Sequence, residues 1–373
     1  MENAEDNSMN LLLNEIRRNP LLWLLVFVPV VLVVEHLEAG TPTLLFVLSI
    51  LAIVPLAALL SHATESVATK TGDAVGGLLN ATLGNLTELV IALAALRAGE
   101  YMLVKASIAG AIVTNTLFML GASFLLGGLR HHTQEFNSAS ARLQAGQLFL
   151  ATIALLLPSA VGAADSARTS AFTEKLSVYL AIVLIATYGL GLLFTLRTHR
   201  EFFGAAESHR EGDAAPWPIS LALGTLGGVT VLVALVSEVF VASVQDAALA
   251  LGMSKAFVGF IVVALVGGAA EMASAFSGAR KNRLDLSVGI ALGSATQIAL
   301  FVAPVLVLAS YTLGPQPMTL QFWPGAVLMV LLATVTAALV SNGGRSAWFV
   351  GVLVLAVYLT FAVTLYLLPP RVP

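Results

Sequence analysis

Long apolar runs recur from one end of the chain to the other. About twenty consecutive apolar residues are enough for a helix to cross a lipid bilayer. Of the 373 residues, 58% are hydrophobic and only 10% are charged, and the mean hydropathy is +0.92. A water-soluble domain carries roughly a quarter charged residues. The chain is therefore predicted to be an all-α integral membrane protein, because its runs are continuous and not the alternating strands of about ten residues that a barrel uses.

The apolar runs predict eleven transmembrane helices. The segments on the same side of the membrane as the N-terminus contain twelve Lys and Arg residues, and the segments on the opposite side contain six. Because basic residues are enriched in cytoplasmic segments, the N-terminus is predicted to be cytoplasmic. The predicted spans are 20–38, 42–62, 75–97, 102–129, 146–164, 175–196, 217–245, 253–279, 284–310, 320–341 and 346–368.

An internal repeat divides the chain. GGLLNATLGNLTELVIALAAL (76–96) and KASIAGAIVTNTLFMLG (105–121) match ALVGGAAEMASAFSGARKNRLD (264–285) and LSVGIALGSATQIALFVAP (286–304). Each half has Gly-x-x-x-Glu, followed by a second helix that carries an amide. Glu88 precedes Asn115 by 27 residues, and Glu271 precedes Gln297 by 26. Close packing through small residues would explain the glycines of two unrelated helices, but not the carboxylate and amide placed alike.

The repeat sets the predicted domain organisation. The segments are a tail with one extra helix (1–41), a first repeat of five spans (42–196), a polar cytoplasmic linker (197–216) and a second repeat of five spans (217–373). Five is an odd number, so the two repeats enter the membrane from opposite sides. Inverted repeats are typical of secondary transporters, whose sites lie between the repeats near the middle of the bilayer.

Glu88 and Glu271 are the strongest candidate site residues, because both fall well inside predicted spans. A charged carboxylate there costs at least ~2.5–3.5 kcal/mol. No Lys, Arg or His falls near the centre of any predicted span. A cation or a proton from solution must therefore neutralise the pair. The alternative is that each glutamate stays protonated and only bonds to a neighbouring helix.

Neutral oxygen atoms around the two glutamates indicate the kind of ion. Glycines before each glutamate allow a helix to unwind and free its carbonyl groups. Carboxylate, carbonyl and amide oxygens suit hard cations such as calcium, although sodium, manganese and magnesium fit the same chemistry. The predicted supporting ligands are Gly84, Asn85, Thr87, Asn115, Gly267, Ser294, Thr296 and Gln297.

Two further acids, Glu65 and Glu238, lie near the ends of predicted spans. They either guide ions toward the site or only face the membrane interface. The chain has no cysteine, a net charge of −3 and no phosphate-binding loop, so thiolate chemistry, nucleic-acid binding and ATP hydrolysis have no support. The predicted partners are the lipid bilayer and the transported ions, with no cofactor. The oligomeric state is left open, and a homo-oligomer is compatible with the sequence.

GLLNATLGNLTELVIAL and GGAAEMASAFSGARKNRLDLSVGIALGSATQIALFVAP resemble the two alpha-repeat signatures of the calcium/proton exchangers, in the cation/calcium antiporter superfamily. The resemblance covers essentially the whole chain. It implies a core of ten helices in inverted repeats plus one extra helix, calcium export against protons, exchange at Glu88 and Glu271, and flanking amides at Asn115 and Gln297. The chain departs from the family's Gly-Asn-Ala-Ala-Glu-His in its second repeat, where Gly268 and Met272 replace the amide and the imidazole.

The expected function is therefore exchange of calcium for protons by alternating access, in what is expected to be a bacterial inner membrane. A sodium/calcium exchanger on the same fold is the first alternative. A passive cation channel is the second alternative, and a membrane enzyme fits least because no nucleophile and base lie at one depth.

Overall fold

The computed structural model describes residues 11–12, 14–17, 19–71, 73–161, 167–199 and 217–367. Apart from two three-residue strands, the regular structure of these residues is helical. Most of the predicted linker, residues 200–216, lies outside the described residues.

The first half of the chain begins with a 3₁₀ segment, Pro20–Val26, which continues as α1 (Phe27–His36). The helices that follow are α2 (Pro42–Lys70), α3 (Asp73–Leu83), α4 (Leu86–Arg97), α5 (Tyr101–His131), α6 (Ser138–Val161) and α7 (Ala167–Leu193). A π-helical turn, Thr114–Met119, interrupts α5, and another, Phe194–Thr198, extends α7.

The second half contains α8 (Ile219–Ala250), α9 (Lys255–Gly267), α10 (Ala269–Arg280), α11 (Leu284–Leu313), α12 (Pro324–Ser341) and α13 (Trp348–Leu367). Two further π-helical turns, Val258–Val263 and Ile298–Val302, lie within α9 and α11. Several helices begin at a proline in the first turn, where no N–H is needed. At α2, for example, the Thr41 hydroxyl accepts a hydrogen bond from the Leu44 amide at 3.2 Å.

Two helix pairs are bent at breaks of one or two residues. α3 and α4 meet at 42°, and α9 and α10 meet at 60°. Eight described helices are long and apolar enough to cross a membrane, or ten if each bent pair is one span. The protein is therefore a multi-pass, all-helical membrane protein.

The predicted first span, 20–38, corresponds to a shorter apolar helix, Pro20–His36. Its first seven residues are 3₁₀, which rises about 2.0 Å per residue instead of 1.5 Å. The segment therefore extends about 29 Å, close to the ~30 Å of a bilayer's hydrocarbon core. Residue number alone thus underestimates the reach of this segment.

The predicted linker runs from the C-terminal end of α7 to the N-terminal end of α8. The side of the protein on which these two helix ends lie is called here the linker side. On this side β1 (Thr133–Glu135) pairs antiparallel with β2 (Arg345–Ala347). The Gln134 amide also donates hydrogen bonds to the Ala279 carbonyl and to Asn282 Oδ1, both at 2.9 Å. These contacts tie the loop after α5 to the turn between α10 and α11 and to the start of α13.

Candidate functional site

The two helix breaks place the two glutamates in equivalent positions. Glu88 lies in the first turn of α4, and Glu271 lies in the first turn of α10. The residues before these helices, Asn85 and Gly268, are the N-caps. The N-terminus of a helix carries a partial positive charge, so each carboxylate lies where the helix dipole stabilises it. The Gly-rich sequence before each glutamate thus ends one helix and starts another at the site.

Glu88 and Glu271 come together where the two halves of the chain meet. A methyl group built on Gly267 would lie 2.9 Å from Cγ and 3.4 Å from Oε1 of Glu88. The first carboxylate therefore packs directly on the residue that ends α9. The two carboxylates are close enough for the charge of Glu88 to act on Glu271, and both residues are half-buried.

A hydrogen-bond chain crosses between the halves beside the glutamates. The Asn115 amide donates to Ser294 Oγ at 2.8 Å, and Ser294 Oγ donates to Asn85 Oδ1 at 2.8 Å. All three residues are at least 95% buried. The Ser294 hydroxyl also lies near the carboxylate of Glu271. Ser294 thus connects two amides of the first half and lies beside the carboxylate of the second.

Each flanking amide lies opposite the glycine-containing break of the other half. Gln297 Oε1 is 3.5 Å from a methyl group built on Gly84, and Asn115 Oδ1 is 3.7 Å from one built on Gly268. Each break therefore faces an amide from the other half of the chain. Asn115 and Gln297 lie in or directly before π-helical turns, which occur frequently at functional sites.

Three buried polar atoms of this cluster have no hydrogen-bond partner: Glu271 Oε2, Asn85 Nδ2 and Gln297 Nε2. A buried polar atom without a partner costs about 1–3 kcal/mol. Rotation of a terminal amide by 180° exchanges its oxygen and nitrogen, so each amide can present an oxygen to a cation. The arrangement is therefore suited to a cation or proton that binds reversibly.

The two residues that depart from the resembled pattern share one space. The methyl group of Met272 lies 3.7 Å from a Cβ built on Gly268, and Met272 is 6% exposed. Asn85, at the corresponding N-cap of the first half, is instead held by Ser294. The site is therefore asymmetric, with an amide at one break and a thioether side chain at the other.

The described part of the chain has no Lys or Arg paired with either glutamate. Its ion pairs include Arg97–Glu238 at 3.3 Å, Lys255–Glu100 at 3.0 Å and Arg345–Glu135 at 2.6 Å. It also lacks any group of three or more His, Cys, Asp or Glu side chains that could hold a metal ion. A cation at Glu88 and Glu271 would thus need neutral oxygen ligands as well.

The other residues singled out in the sequence lie as follows. Thr87 is buried in the first turn of α4. Thr296 donates to the main-chain carbonyl of Gln144 in α6 at 3.2 Å, so its hydroxyl is engaged away from the carboxylates. Glu65 is exposed near the end of α2, and Glu238 is exposed and paired with Arg97 on the side opposite the linker. Neither acid joins the central cluster.

Three residues near the site were not singled out from the sequence. Ser107 lines a small cavity beside Glu88. Gln144 has a buried Oε1 without a partner, 3.8 Å from a methyl group built on Gly293. Tyr188 donates from its hydroxyl to the Ala81 carbonyl at 2.6 Å. The signal in the sequence that could have indicated them is a polar side chain within an apolar span. Buried tyrosine hydroxyls, for example, usually find a hydrogen-bond partner.

Comparison with known proteins gives consistent matches along the chain. A family model described as sodium/calcium exchanger protein matches residues 41–197 and 221–367. The chain is 41% identical to the Ca(2+)/H(+) antiporter of Aphanothece halophytica over 359 residues, which cover 93% of this chain and 96% of that protein. It is 38% identical to the Ca(2+)/H(+) antiporter ChaA of Bacillus subtilis, over 94% of this chain and 100% of that one. The structure of native YfkE is similar with a TM-score of 0.81 at 34% identity, covering 94% of this chain and 100% of that chain.

Proposed function

Because the chain belongs to the sodium/calcium exchanger protein family, we propose that it is a Ca²⁺/H⁺ antiporter in which Glu88 and Glu271 bind either one calcium ion or protons. The relatives from Aphanothece halophytica and Bacillus subtilis, which match along nearly its whole length, are named as Ca²⁺/H⁺ antiporters, which are transporters and not enzymes. Calcium and protons are substrates here, and no resident cofactor is required.

The observation that carries the proposal is the meeting of two carboxylates that have no basic partner among the described residues. Glu88 packs on Gly267, and its charge acts on Glu271. Two negative charges in an apolar surrounding repel each other and lose hydration, so the pair is stable only when it is neutralised. One divalent cation or two protons achieve this. Competition between them at one site couples the two fluxes.

The neutral oxygens complete the proposed calcium site. Calcium takes six to eight oxygen ligands, which exceeds what two carboxylates supply. Asn85, Asn115 and Gln297 add amide oxygens, and the helix breaks at Gly84 and Gly267 add carbonyl groups. Thr87, Ser294 and Thr296 stay within the proposed set through the lone pairs of their hydroxyl oxygens, although Thr296 donates its proton to the Gln144 carbonyl and Ser294 also holds the amides in place. Few fixed charges favour release of the ion as well as binding.

Alternating access is the proposed route across the membrane. On the side opposite the linker, α9 packs closely against α5: a methyl group built on Gly110 would lie 2.1 Å from the Phe260 carbonyl oxygen, and one on Gly259 would lie 2.5 Å from Cβ of Ala106. On the linker side, most residues of α3 are half-buried or exposed. This difference supports a state in which the site opens toward the linker side.

We further propose eleven membrane-spanning segments, with Pro20–His36 as the extra helix and two inverted repeats of five. The two matched family segments, 41–197 and 221–367, coincide closely with the predicted repeats 42–196 and 217–373. The enrichment of Lys and Arg supports a cytoplasmic linker side and N-terminus, and the proposed location is a bacterial inner membrane. Glu65 and Glu238 remain candidates for the access paths, on the linker side and the opposite side respectively.

Everted membrane vesicles with an imposed pH gradient test the exchange. Calcium uptake should be accompanied by proton efflux in the parent protein. Both movements should be lost in Glu88→Gln and in Glu271→Gln, because a neutral amide cannot exchange protons for calcium. Glu135→Gln is the matched control, since Glu135 is 70% exposed and paired with Arg345 on the linker side. Coupled transport that persists in both site variants would contradict the mechanism.

The same vesicles separate the alternatives. With pH clamped, a sodium gradient should not drive calcium uptake; uptake would support the sodium/calcium exchanger instead. Calcium flux that moves no protons, and proceeds only down its own gradient, would indicate a channel.

A further inference from the structure

α3, the first arm of the first broken helix, is held at its end by a tyrosine from another helix. The Tyr188 hydroxyl in α7 donates to the Ala81 carbonyl at 2.6 Å. Ala81 lies in the last turn of α3, seven residues before Glu88. Carbonyl groups in the last turn of a helix have no intrahelical donor. Tyr188 therefore supplies the hydrogen bond that the break at Gly84 takes away.

The equivalent carbonyl of the second half has a different partner. Ala264 stands seven residues before Glu271, as Ala81 does before Glu88. Its carbonyl accepts from the Gly268 amide at 3.2 Å. In the first broken helix the Gly84 amide donates instead to the Asn80 carbonyl at 2.9 Å, so the Ala81 carbonyl takes its donor from α7.

α7 and α13 carry tyrosines in matching surroundings. The Tyr188 ring lies 5.5 Å from that of Phe301 in the π-helical turn of α11, and the Tyr358 ring lies 5.2 Å from that of Phe118 in the π-helical turn of α5. The Tyr358 hydroxyl, however, reaches Thr114 Oγ1 at 3.4 Å and not a broken helix. Of the two tyrosines, Tyr188 is therefore the one bonded to an arm of a broken helix.

A second contact from the same part of the chain holds α3 at its start. A methyl group built on Gly77 would lie 2.4 Å from Cδ2 of Leu196, in the π-helical turn that extends α7. A methyl group built on Gly76 would lie 2.0 Å from the Ala68 carbonyl oxygen in α2. Gly259, the equivalent of Gly76, packs instead on Ala106 of α5. α3 thus leans toward α2 and α7, while α9 leans on α5.

The consequence is visible at two equivalent isoleucines. Ile108 precedes Asn115 by seven residues, and Ile290 precedes Gln297 by seven. Ile108 lines the cavity beside Glu88 on the side where α9 covers α5, and it is 2% exposed. Ile290 on the linker side is half-buried. The chain is thus less tightly packed around this position on the linker side than around its equivalent on the opposite side.

We propose that Tyr188 is a positioning residue that holds α3 against α7 while the site is open to the linker side, and that its bond to the Ala81 carbonyl must break before that side closes. The inference rests on the alternating access proposed above. Tyr188 touches neither carboxylate. It acts through α3, whose end leads into Gly84 and Glu88, and through Phe301, four residues after Gln297.

Because the chain contains no cysteine, single cysteines report access directly. Ile290→Cys reports the linker side, and Ile108→Cys reports the opposite side. Each is combined with Tyr188→Phe, which removes the hydroxyl and keeps the ring on Phe301. The rate of labelling by a small, membrane-impermeant thiol reagent is measured in calcium-free proteoliposomes, with protein of each orientation addressed separately. Tyr358→Phe is the matched control, because it makes the same chemical change at the equivalent tyrosine.

In Tyr188→Phe, the ratio of labelling at Cys-substituted position 108 to that at position 290 should rise roughly 2- to 10-fold, the population change that one hydrogen bond of typical net strength supports. Tyr358→Phe should not raise it. Leu196→Ala, which removes the second contact on α3, should raise it without touching the hydroxyl. An unchanged ratio in a folded Tyr188→Phe protein, or an equal rise in Tyr358→Phe, overturns the proposal. Parent protein that shows no calcium-coupled proton flux refutes the exchange function but leaves this comparison of labelling rates intact.

Discussion

Replacing Gly267 by alanine adds a single carbon atom, Cβ, directly beside the Glu88 side chain. The new Cβ would lie 2.9 Å from Cγ and 3.3 Å from Cδ of Glu88. Carbon atoms are at optimal separation near 3.5–4.0 Å, so the Glu88 side chain or α9 must move by roughly 0.6 Å. The ligand distances of calcium cover only about 0.3 Å, from 2.3 to 2.6 Å. The displacement therefore exceeds what the proposed ion site tolerates.

The size of the effect follows from the cost of the extra methyl group. Overpacking a buried position costs about 1–3 kcal/mol, which corresponds to roughly 5- to 150-fold in an equilibrium constant. Alanine has a higher helix propensity than glycine, so at the last residue of α9 the substitution also raises the free energy of unfolding by up to about 1 kcal/mol. The KM for calcium should thus rise at least ~5-fold, while the melting temperature changes little.

The assay is calcium-dependent proton movement in proteoliposomes, with thermal unfolding measured on the same preparations. Gly289→Ala is the matched control, because a methyl group at this helical glycine of α11 meets nothing within 4 Å. It should leave KM unchanged. A Gly267→Ala protein with the parent's KM and turnover would show that Glu88 need not occupy its present position, and would refute the proposed geometry of the site.

Two other predictions follow from the same cluster. Ser294→Ala removes both 2.8 Å hydrogen bonds that join Asn115 to Asn85. It should lower the free energy of unfolding by about 1–3 kcal/mol for each polar atom left without a partner and raise the KM for calcium. Ser310→Ala should keep that KM, because the Ser310 hydroxyl, near the C-terminal end of α11, bonds to the main chain of Val307 and Met318. If the site crosses the membrane only when it carries one calcium ion or two protons, exchange should be electroneutral: a membrane potential of 100 mV, worth ~2.3 kcal/mol per charge, should not shift the final calcium distribution, and a shift of about 50-fold per 100 mV would indicate one net charge per cycle.

Much of the candidate site could be predicted from the sequence, because its chemistry is concentrated in two unusual residues. A glutamate in an apolar span stands out against its surroundings, and the repeat doubles the signal. The glycines before Glu88 and Glu271 also indicated where the helices break. The bends of 42° and 60° occur at these glycines. Local sequence therefore predicts breaks well, since a break depends on residues next to each other.

Contacts between helices were harder to predict. Thr296 was predicted to supply a neutral oxygen, as was its neighbour Gln297, and residues next to each other on a helix point about 100° apart. Its hydroxyl consequently bonds to α6. Ser294 was predicted as an oxygen ligand, whereas its place at the centre of the chain from Asn115 to Asn85 depends on a helix from the other half. Tyr188 lies 107 residues from the carbonyl that it binds, and no local pattern relates them.

The side to which the proposed site opens could not have been predicted, because the two halves have similar sequences. Gly76 and Gly259 occupy the same position relative to their glutamates, yet one packs on α2 and the other on α5. Similar sequences thus adopt two different positions within one molecule. If each half is able to adopt both, exchanging the two positions between the halves yields the state that opens to the other side. In the proposed alternating access, the repeat would therefore specify a pair of states with similar contacts. Which of them is populated depends on the residues that differ between the halves, and the hydroxyl of Tyr188 on the Ala81 carbonyl is one such difference.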